Sequence, residues 1–409
     1  KNRQSPHKNP TIMSQAQQLT VLRSLHVQCK MIYCVYAIAI RDHKYKIVQN
    51  IFLIILIVYY LIFNISYIQQ RGCKAMKKNT LTRYAFLAVA SAILMSSGHC
   101  VMARDKSPQT SSSIIQNTID QAYIKFKTIE DGENASYIPY LSKADSKIYG
   151  IAVVTVGGKI FKAGNVDYEF PVESVSKIFT LASVLQKKGT DTVLRKIGVN
   201  ATGLPFNSVL SIELNNDKLG GGPPTGNPLV NAGAIATASL IDGQTLKEKW
   251  KSLIDTASAF AGHRLHLNED VYQSEMANNQ HNQAIAVLLK SYNALYADPS
   301  ETVDLYTREC SYEVNALDLA IMGATLANGG TNPLSHVPVV NAATSAHVLA
   351  VMATAGLYNT SGEWLFKVGL PGKSGVGGGI VAVVPGKMAI GGCASHLDAA
   401  GTSGRGPLA

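Results

Sequence analysis

At 409 residues, 46% hydrophobic and 16% charged, the chain has room for one large domain or two medium ones. The net charge of +10 would suit a nucleic-acid or membrane partner, but the excess is local: residues 1–103 hold 13 of the 37 Lys and Arg residues and one acid, Asp42, of 27. The remainder is nearly neutral and lacks a basic stripe interleaved with aromatics, so nucleic-acid binding is not expected.

The first hundred residues read as targeting sequence. Residues 51–63 are an unbroken apolar run which, with its flanks, reaches bilayer-spanning length. From Met76, a positive segment (Lys77, Lys78, Arg83) precedes an apolar run over 84–95. Val101-Met-Ala103 then offers small residues for cleavage, the anatomy of a secretory signal. Cleavage as a lipoprotein before Cys100 is disfavoured by His99, where a small residue is wanted. A signal after a membrane span makes little sense, and the sequence opens on Lys1. Residues 1–75 are therefore expected to be a non-native extension ahead of a start at Met76; the alternative is a membrane-spanning segment. Residues 76–103 are then the signal and 104–113 a polar linker. The folded domain is expected over 114–409 in an exported, periplasmic protein, or in one anchored to the membrane if the extension is real. Cys29, Cys34, Cys73 and Cys100 fall in the leader. That leaves Cys310 and Cys393, expected as two buried thiols and no disulfide framework.

Along the domain, residues 114–128 have amphipathic helical spacing (Ile115, Ile119, Ala122, Phe126). Residues 149–156 and 159–164 flank Gly157-Gly158 as a hairpin. A helix opening at about Glu173 or Ser174 runs to Gly189. Residues 193–300 are helical and loop-rich, broken by a Gly/Pro cluster over 220–228. Residues 314–327 and 344–354 predict helices, and the apolar runs 363–369, 379–384 and 388–393 predict three strands. His263 and His266 are expected on a solvated helix face, since nothing at ligand spacing accompanies them and no metal site is expected. Two N-terminal and three C-terminal strands can share one antiparallel sheet flanked by helices, an α/β (α+β) arrangement with a second, mostly helical lobe. The Ser174 helix would lie at the junction, where clefts form.

Ser174 and Lys177, three residues apart at the mouth of an apolar helix, share one face. A serine needs a base beside it, and burial at a helix N-terminus pushes a lysine toward its neutral form. Leu370-Pro-Gly-Lys-Ser-Gly-Val-Gly-Gly-Gly-Ile380 introduces a strand; Lys373-Ser-Gly375 resembles the Lys-Thr-Gly of serine β-lactamases and penicillin-binding proteins, and the Val376 amide could face an oxyanion. Gly372-Lys-Ser374 as a phosphate loop fails, because Lys367 stands where a glycine is needed and a strand follows.

Further motifs are Tyr137-Ile-Pro139, Gly203-Leu-Pro-Phe-Asn-Ser208, Asn227-Pro-Leu-Val-Asn-Ala-Gly-Ala-Ile235, Ser274-Glu275 with Asn282, Tyr306 with Cys310-Ser311, Asn328-Gly-Gly330, and Gly356-Leu-Tyr-Asn-Thr-Ser-Gly362. In this order, from about Gly132 to the C-terminus, they resemble the serine-dependent glutaminase family. The resemblance implies a β-lactamase/transpeptidase-like fold, hydrolysis of L-glutamine to L-glutamate and ammonia, no cofactor, and a homodimer or homotetramer. It also implies roles: Ser174 as nucleophile, Lys177 as its base, Tyr306 and Tyr358 as active-site tyrosines, and Val376 as an oxyanion donor with Ser174. Glu275 would receive the substrate ammonium, and Tyr137, Asn231 and Asn282 would make the other substrate contacts.

The sequence departs from the family's pattern at Gly372, Asn359 and Gly356-Leu357, and it matches only loosely after Gly391. The family continues into a C-terminal helix over the sheet, so with the sequence ending at Ala409 one sheet face is expected to lack its cover. Two alternatives stand beside this reading. A β-lactamase or DD-peptidase would want a Ser-x-Asn or Tyr-x-Asn motif, and Tyr306-Thr-Arg308 is not one. A non-catalytic amino-acid-binding module would have no need of Ser174 and Lys177.

Overall fold

The computed structural model describes residues 111–136, 138–214, 222–398 and 406–408, all within one compact unit spanning 105–409. The expected extension, signal and most of the linker lie outside the described residues, as does Tyr137.

The chain enters through helix α1 (Ser111–Phe126), hairpin β1 (Tyr149–Thr155) and β2 (Ile160–Gly164), and a short strand β3 (Phe170–Pro171). A 3-10 turn, Glu173–Val175, leads into α2 (Lys177–Lys188), so Ser174 lies in the turn just ahead of the helix. The helical lobe follows: α3 (Thr190–Lys196), α4 (Leu210–Leu214), α5 (Asn231–Ala238), α6 (Leu246–Ala261), α7 (Glu269–Met276), α8 (Gln280–Ser291) and α9 (Pro299–Cys310). After β4 (Glu313–Val314) come α10 (Ala316–Ala327), α11 (Ala342–Ala355) and α12 (Ser361–Val368), then β5 (Gly372–Ser374), β6 (Gly379–Val384) and β7 (Met388–Ala394).

The main sheet has the order β2-β1-β7-β6-β5 with every pair antiparallel, so the N-terminal hairpin and the C-terminal strands share one sheet. The inner strands β1 and β6 are apolar on both faces because both are covered, against the expectation of a bare face, whereas β2 alternates exposed and buried residues. Ala152, Val154, Val381, Val383, Ala389 and Cys393 face the main core, where α10 packs. The alternate residues Tyr149, Ile151 and Val153 face α1, and Ile380 and Ala382 face Trp364 of α12. A Cβ at Gly391 would lie 2.2 Å from the Ala316 carbonyl, so β7 touches α10 backbone to backbone only because that residue is glycine. The N-terminus of α10 is fixed by a reciprocal cap in which Asn315 accepts from the Asp318 amide and Asp318 from the Asn315 amide. The turn Gly406–Leu408 contacts β6 and β7, beside a cavity of about 100 Å³ that Trp364, Ile380 and Ile390 help to line.

Two expectations are corrected. Residues 363–369 are not a strand. Ser361–Val368 is a helix braced by Glu363–Lys367 at i,i+4 and ended by Gly369 in the left-handed conformation (φ 74°); only its Trp364 side is buried. The third C-terminal strand is instead the short β5. His263 is not on a helix face either. Gly262 (φ 81°) ends α6, and His263 Nε2 lies 2.7 Å from Asp318 Oδ1. Cys310 and Cys393 are both buried and form no disulfide.

Candidate active site

The site forms where the Ser174 turn, the β5–β6 turn and the first residues of the lobe helices meet. The β3–β4 ribbon and the bond from Val172 N to Tyr312 O (2.9 Å) tie the Ser174 segment to the end of α9. Glu173 is left-handed (φ 51°), a conformation that costs a side-chain-bearing residue about 1–3 kcal/mol and recurs at functional sites. The glycine-rich turn lies directly on this segment. A Cβ at Gly375 would stand 2.8 Å from Val172 O and 3.2 Å from Ser174 N, and one at Gly377 would stand 2.2 Å from Pro171 O. Val376, between those glycines, is buried with Ala135, Ile138, Leu141 and Leu397.

Asn231 opens α5, with its amide bonded to Phe206 O at 2.8 Å. It is the hub of the polar network. Lys177 Nζ donates to Asn231 Oδ1 at 2.7 Å, Tyr306 OH donates to the same oxygen at 3.2 Å, and Asn231 Nδ2 donates to Asn282 Oδ1 at 3.1 Å. Tyr358, also left-handed (φ 57°), accepts a hydrogen bond from Lys373 Nζ at 3.1 Å, and the Ser174 side chain lies close enough to oppose the rise that burial gives its phenol. Lys373 also donates to the Ser374 carbonyl at 2.6 Å. Both lysines face the Tyr358 ring, Lys373 at 4.2 Å and Lys177 at 5.8 Å from its centroid. The lysine three residues after the serine is thus bonded to Asn231.

Burial sets the electrostatics. It holds Lys177 down at about 8, against neighbouring acids that push it up, and holds Lys373 well below the usual range, with Lys177 adding to the effect. The Tyr358 and Tyr306 phenols are pushed well up by burial, so both stand neutral. Glu309, whose Oε1 accepts from Ser176 Oγ at 3.3 Å, is raised by burial to about 7. Glu275, partly buried at the end of α7, is likewise raised to about 7 and accepts weakly from Ser311 Oγ at 3.4 Å.

The structure therefore joins Lys177, Asn231, Asn282 and Tyr306 in one hydrogen-bonded network with the Tyr358 ring beside Lys177, lays the glycine-rich turn that holds Val376 on the Ser174 segment, and sets Glu275 close to Glu173 and Cys310. Sequence reasoning passed over Glu173, Glu309 and Ser311 and treated Lys373 only as part of a motif. A signal existed for two of them. Glu173 stands in an apolar segment directly before the serine, and Glu309 lies on the Tyr306–Cys310 face of α9. A cavity of about 550 Å³ adjoins the site, lined in part by Pro171, Ser274 and Gly377.

Two buried lysines facing one tyrosine, and a glycine-rich turn laid against the segment that carries Ser174, fit an amide hydrolase of the β-lactamase-like fold. The family model described as glutaminase matches residues 132–409. The chain is 50% identical over 294 residues to the glutaminase of Brucella canis, covering 72% of this chain and 91% of that protein. To glutaminase 1 of Escherichia coli it is 48% identical over 292 residues, 71% and 92% of the two chains. The solved structure of a probable glutaminase, ybaS, matches with a TM-score of 0.71 at 46% identity over 73% of this chain and 95% of that one. A probable glutaminase from Bacillus subtilis matches with a TM-score of 0.66 at 30% identity, over 72% and 94%. The chain belongs to the glutaminase family.

Proposed function

We propose that the protein hydrolyses the side-chain amide of L-glutamine to L-glutamate and ammonia through an acyl-enzyme on Ser174. The observation that carries this reading is the convergence of two buried lysines on Tyr358 beside the turn that bears Ser174, Lys373 bonded to its phenol at 3.1 Å and Lys177 facing its ring. As Ser174 Oγ attacks the amide carbon, its proton passes to the Tyr358 oxygen while the Tyr358 proton moves on to a neutral lysine. Tyr358, held neutral by burial, acts as a relay and not as a standing base. The amides of Ser174 and Val376 receive the oxyanion. The lysine's proton returns to the departing nitrogen, ammonia leaves, and water resolves the ester to glutamate and free Ser174.

Lys177 is the proposed base, since a lysine near 8 keeps a useful neutral fraction at neutral pH. A second reading gives the task to Lys373, favoured by its 3.1 Å bond to Tyr358. At the other end of the substrate, Glu275 takes the α-ammonium, and Asn231, Asn282 and Tyr137 hold the carboxylate. A 36%-identical solved structure is described as Mglu in its glutamate form, which is in keeping with a site shaped for this product. The test is ammonia release from L-glutamine by the purified protein, beside L-asparagine and a chromogenic β-lactam. Turnover of the β-lactam in place of glutamine would overturn the reading in favour of a β-lactamase.

The same proposal makes the protein an exported homo-oligomer of two or four chains. The signal anatomy of residues 76–103 supports export, and the exposed Leu365, Phe366 and Val368 on α12 support association. Mass spectrometry of the native protein should find an N-terminus near Arg104. A peptide from upstream of Met76 would instead favour the membrane-anchored form.

A further inference from the structure

Glu173 is a costly residue where it stands. Its side chain is 3% exposed, its backbone is left-handed, and its Oε1 has no hydrogen-bond partner. A carboxyl oxygen of Glu173, one of Glu275 and the Cys310 sulfur all lie within 4.8 Å of one another. Two carboxylates so placed in a buried site repel, and a carboxyl there is retained only as the neutral acid or with a cation beside it. The charged and titratable groups facing the pair are Lys177 at the start of α2, Glu309 and Cys310 with Tyr306 on α9, and Tyr358 with Lys373 beyond them. Lys177 is already bonded to Asn231, and Cys310 is pushed well up by burial and stays a thiol. Among the described residues Glu275 accepts a long side-chain bond from Ser311.

We propose that Glu173 is a positioning residue for substrate recognition: as the neutral acid it donates a hydrogen bond to Glu275, and so keeps Glu275 ionised and aimed at the α-ammonium of the substrate. This rests on the reading that Glu275 receives that ammonium. Geometry and electrostatics point the same way. Glu173 is buried and its Oε1 has no hydrogen-bond partner among the described residues, so burial and the nearby Glu275 push its carboxyl well up, whereas Glu275 is only partly buried and accepts from Ser311. The proton therefore resides on Glu173 and the charge on Glu275. Glu173, with its left-handed backbone, and Ser174 stand in the same 3-10 turn, so one turn carries the nucleophile and the support of the recognition site together.

The experiment compares Glu173→Ala, Glu173→Gln and Glu275→Gln with the wild-type full chain in steady-state kinetics on glutamine from pH 5 to 9. Melting curves and infrared spectra in D2O accompany them. Glu173→Ala is expected to raise KM about 10-fold with kcat changed less than about 3-fold, and to move the acid limb of kcat/KM upward by about one pH unit, because Glu275 loses the donor that held it ionised. Glu173→Gln, whose amide donates without titrating, should recover most of the KM and restore the limb. It should also lack one protonated-carboxyl band that the wild type shows at pH 7. A Glu173→Ala enzyme with unchanged KM and acid limb, or a Glu173→Gln enzyme with an unchanged infrared band, overturns the proposal. If Glu173→Ala fails to fold, the Glu173→Gln profile and spectrum decide. Glu275→Gln separates the levels. Near-normal kcat/KM there removes the ammonium assignment itself, whereas a crippled Glu275→Gln beside a normal Glu173→Ala removes only the role of Glu173.

Discussion

Lys177 carries its amine at the start of α2 out of reach of water, and that placement has a thermodynamic sign. Its folded-state pKa is about 8, against 10.5 for an unburied lysine. Between those values the folded chain binds fewer protons than the unfolded one. Stability therefore rises with pH across that window, by about 3 kcal/mol in all, and the full burden is present below pH 8. Lys177→Met should consequently inactivate the enzyme without lowering its melting temperature at pH 7, since a buried charge gives way to a side chain of similar volume. If Lys177 is the base, wild-type kcat/KM should climb as the pH rises through about 8, and this rise should vanish in Lys177→Ala but persist in Lys373→Ala. The opposite pattern assigns the base to Lys373. Ser174→Ala should remove turnover and leave the fold unchanged. The double mutant Ser174→Ala/Lys177→Ala should be scarcely worse in single-turnover assays, because residues acting as one unit do not add. Ser174 and Lys177 were legible because their chemistry is local, three residues apart on one turn. Glu173 and Glu309 carried only a faint signal in their apolar surroundings: an acid in sequence is by default a solvated one, and the packing of α9 against the Ser174 turn makes these two interior.

The β5–β6 turn shows how one element sets catalytic geometry. The spacing of its glycines could be read in advance as room for a close approach, and the approach turns out to be to protein backbone: Gly375 and Gly377 lie against Val172 and Pro171. Gly377→Ala should therefore displace Val376 and lower kcat by about 10²-fold, the scale of a misplacement near 1 Å, with a smaller change in KM. Gly391→Ala is the matching control. It drives β7 off α10 at a distance from the serine, so it should cost about 1–3 kcal/mol in denaturant unfolding and leave kcat/KM of the folded fraction alone. Strands β1, β2, β6 and β7 were legible because apolar runs of strand length sat between turn residues, whereas the three-residue β5 was not. α12 was misread for the same reason: Trp364-Leu-Phe366 is an apolar run, but Phe366 is 90% exposed and the run is short for its i,i+4 brace and left-handed cap to be seen. The β3–β4 ribbon, two residues a side, has no sequence signature at all.

Across the molecule the two lobes expected from the order of elements are not energetically separate. One cluster of buried side chains runs from Val154 and Val381 on the sheet through Phe179 of α2 to Phe260 and Leu289 in the helical lobe. The described unit should thus unfold in a single thermal transition, raised by glutamate in proportion to the logarithm of its concentration above Kd; two resolved transitions in calorimetry would contradict a shared core. Its near-neutral charge could be read from sequence, whereas the continuity of the core could not, since it depends on which helices lie across α2. The two thiols gain a use from this. Cys310 belongs to the helical lobe and Cys393 to the central strand β7, and each is sealed in the same cluster. An alkylating reagent can reach either sulfur only when the surrounding structure opens, so their modification rates under native conditions act as two clocks placed by the chain itself. Equal rates would mean that opening the catalytic cleft and opening the sheet are one event. A faster Cys310 would locate the first breach beneath the serine.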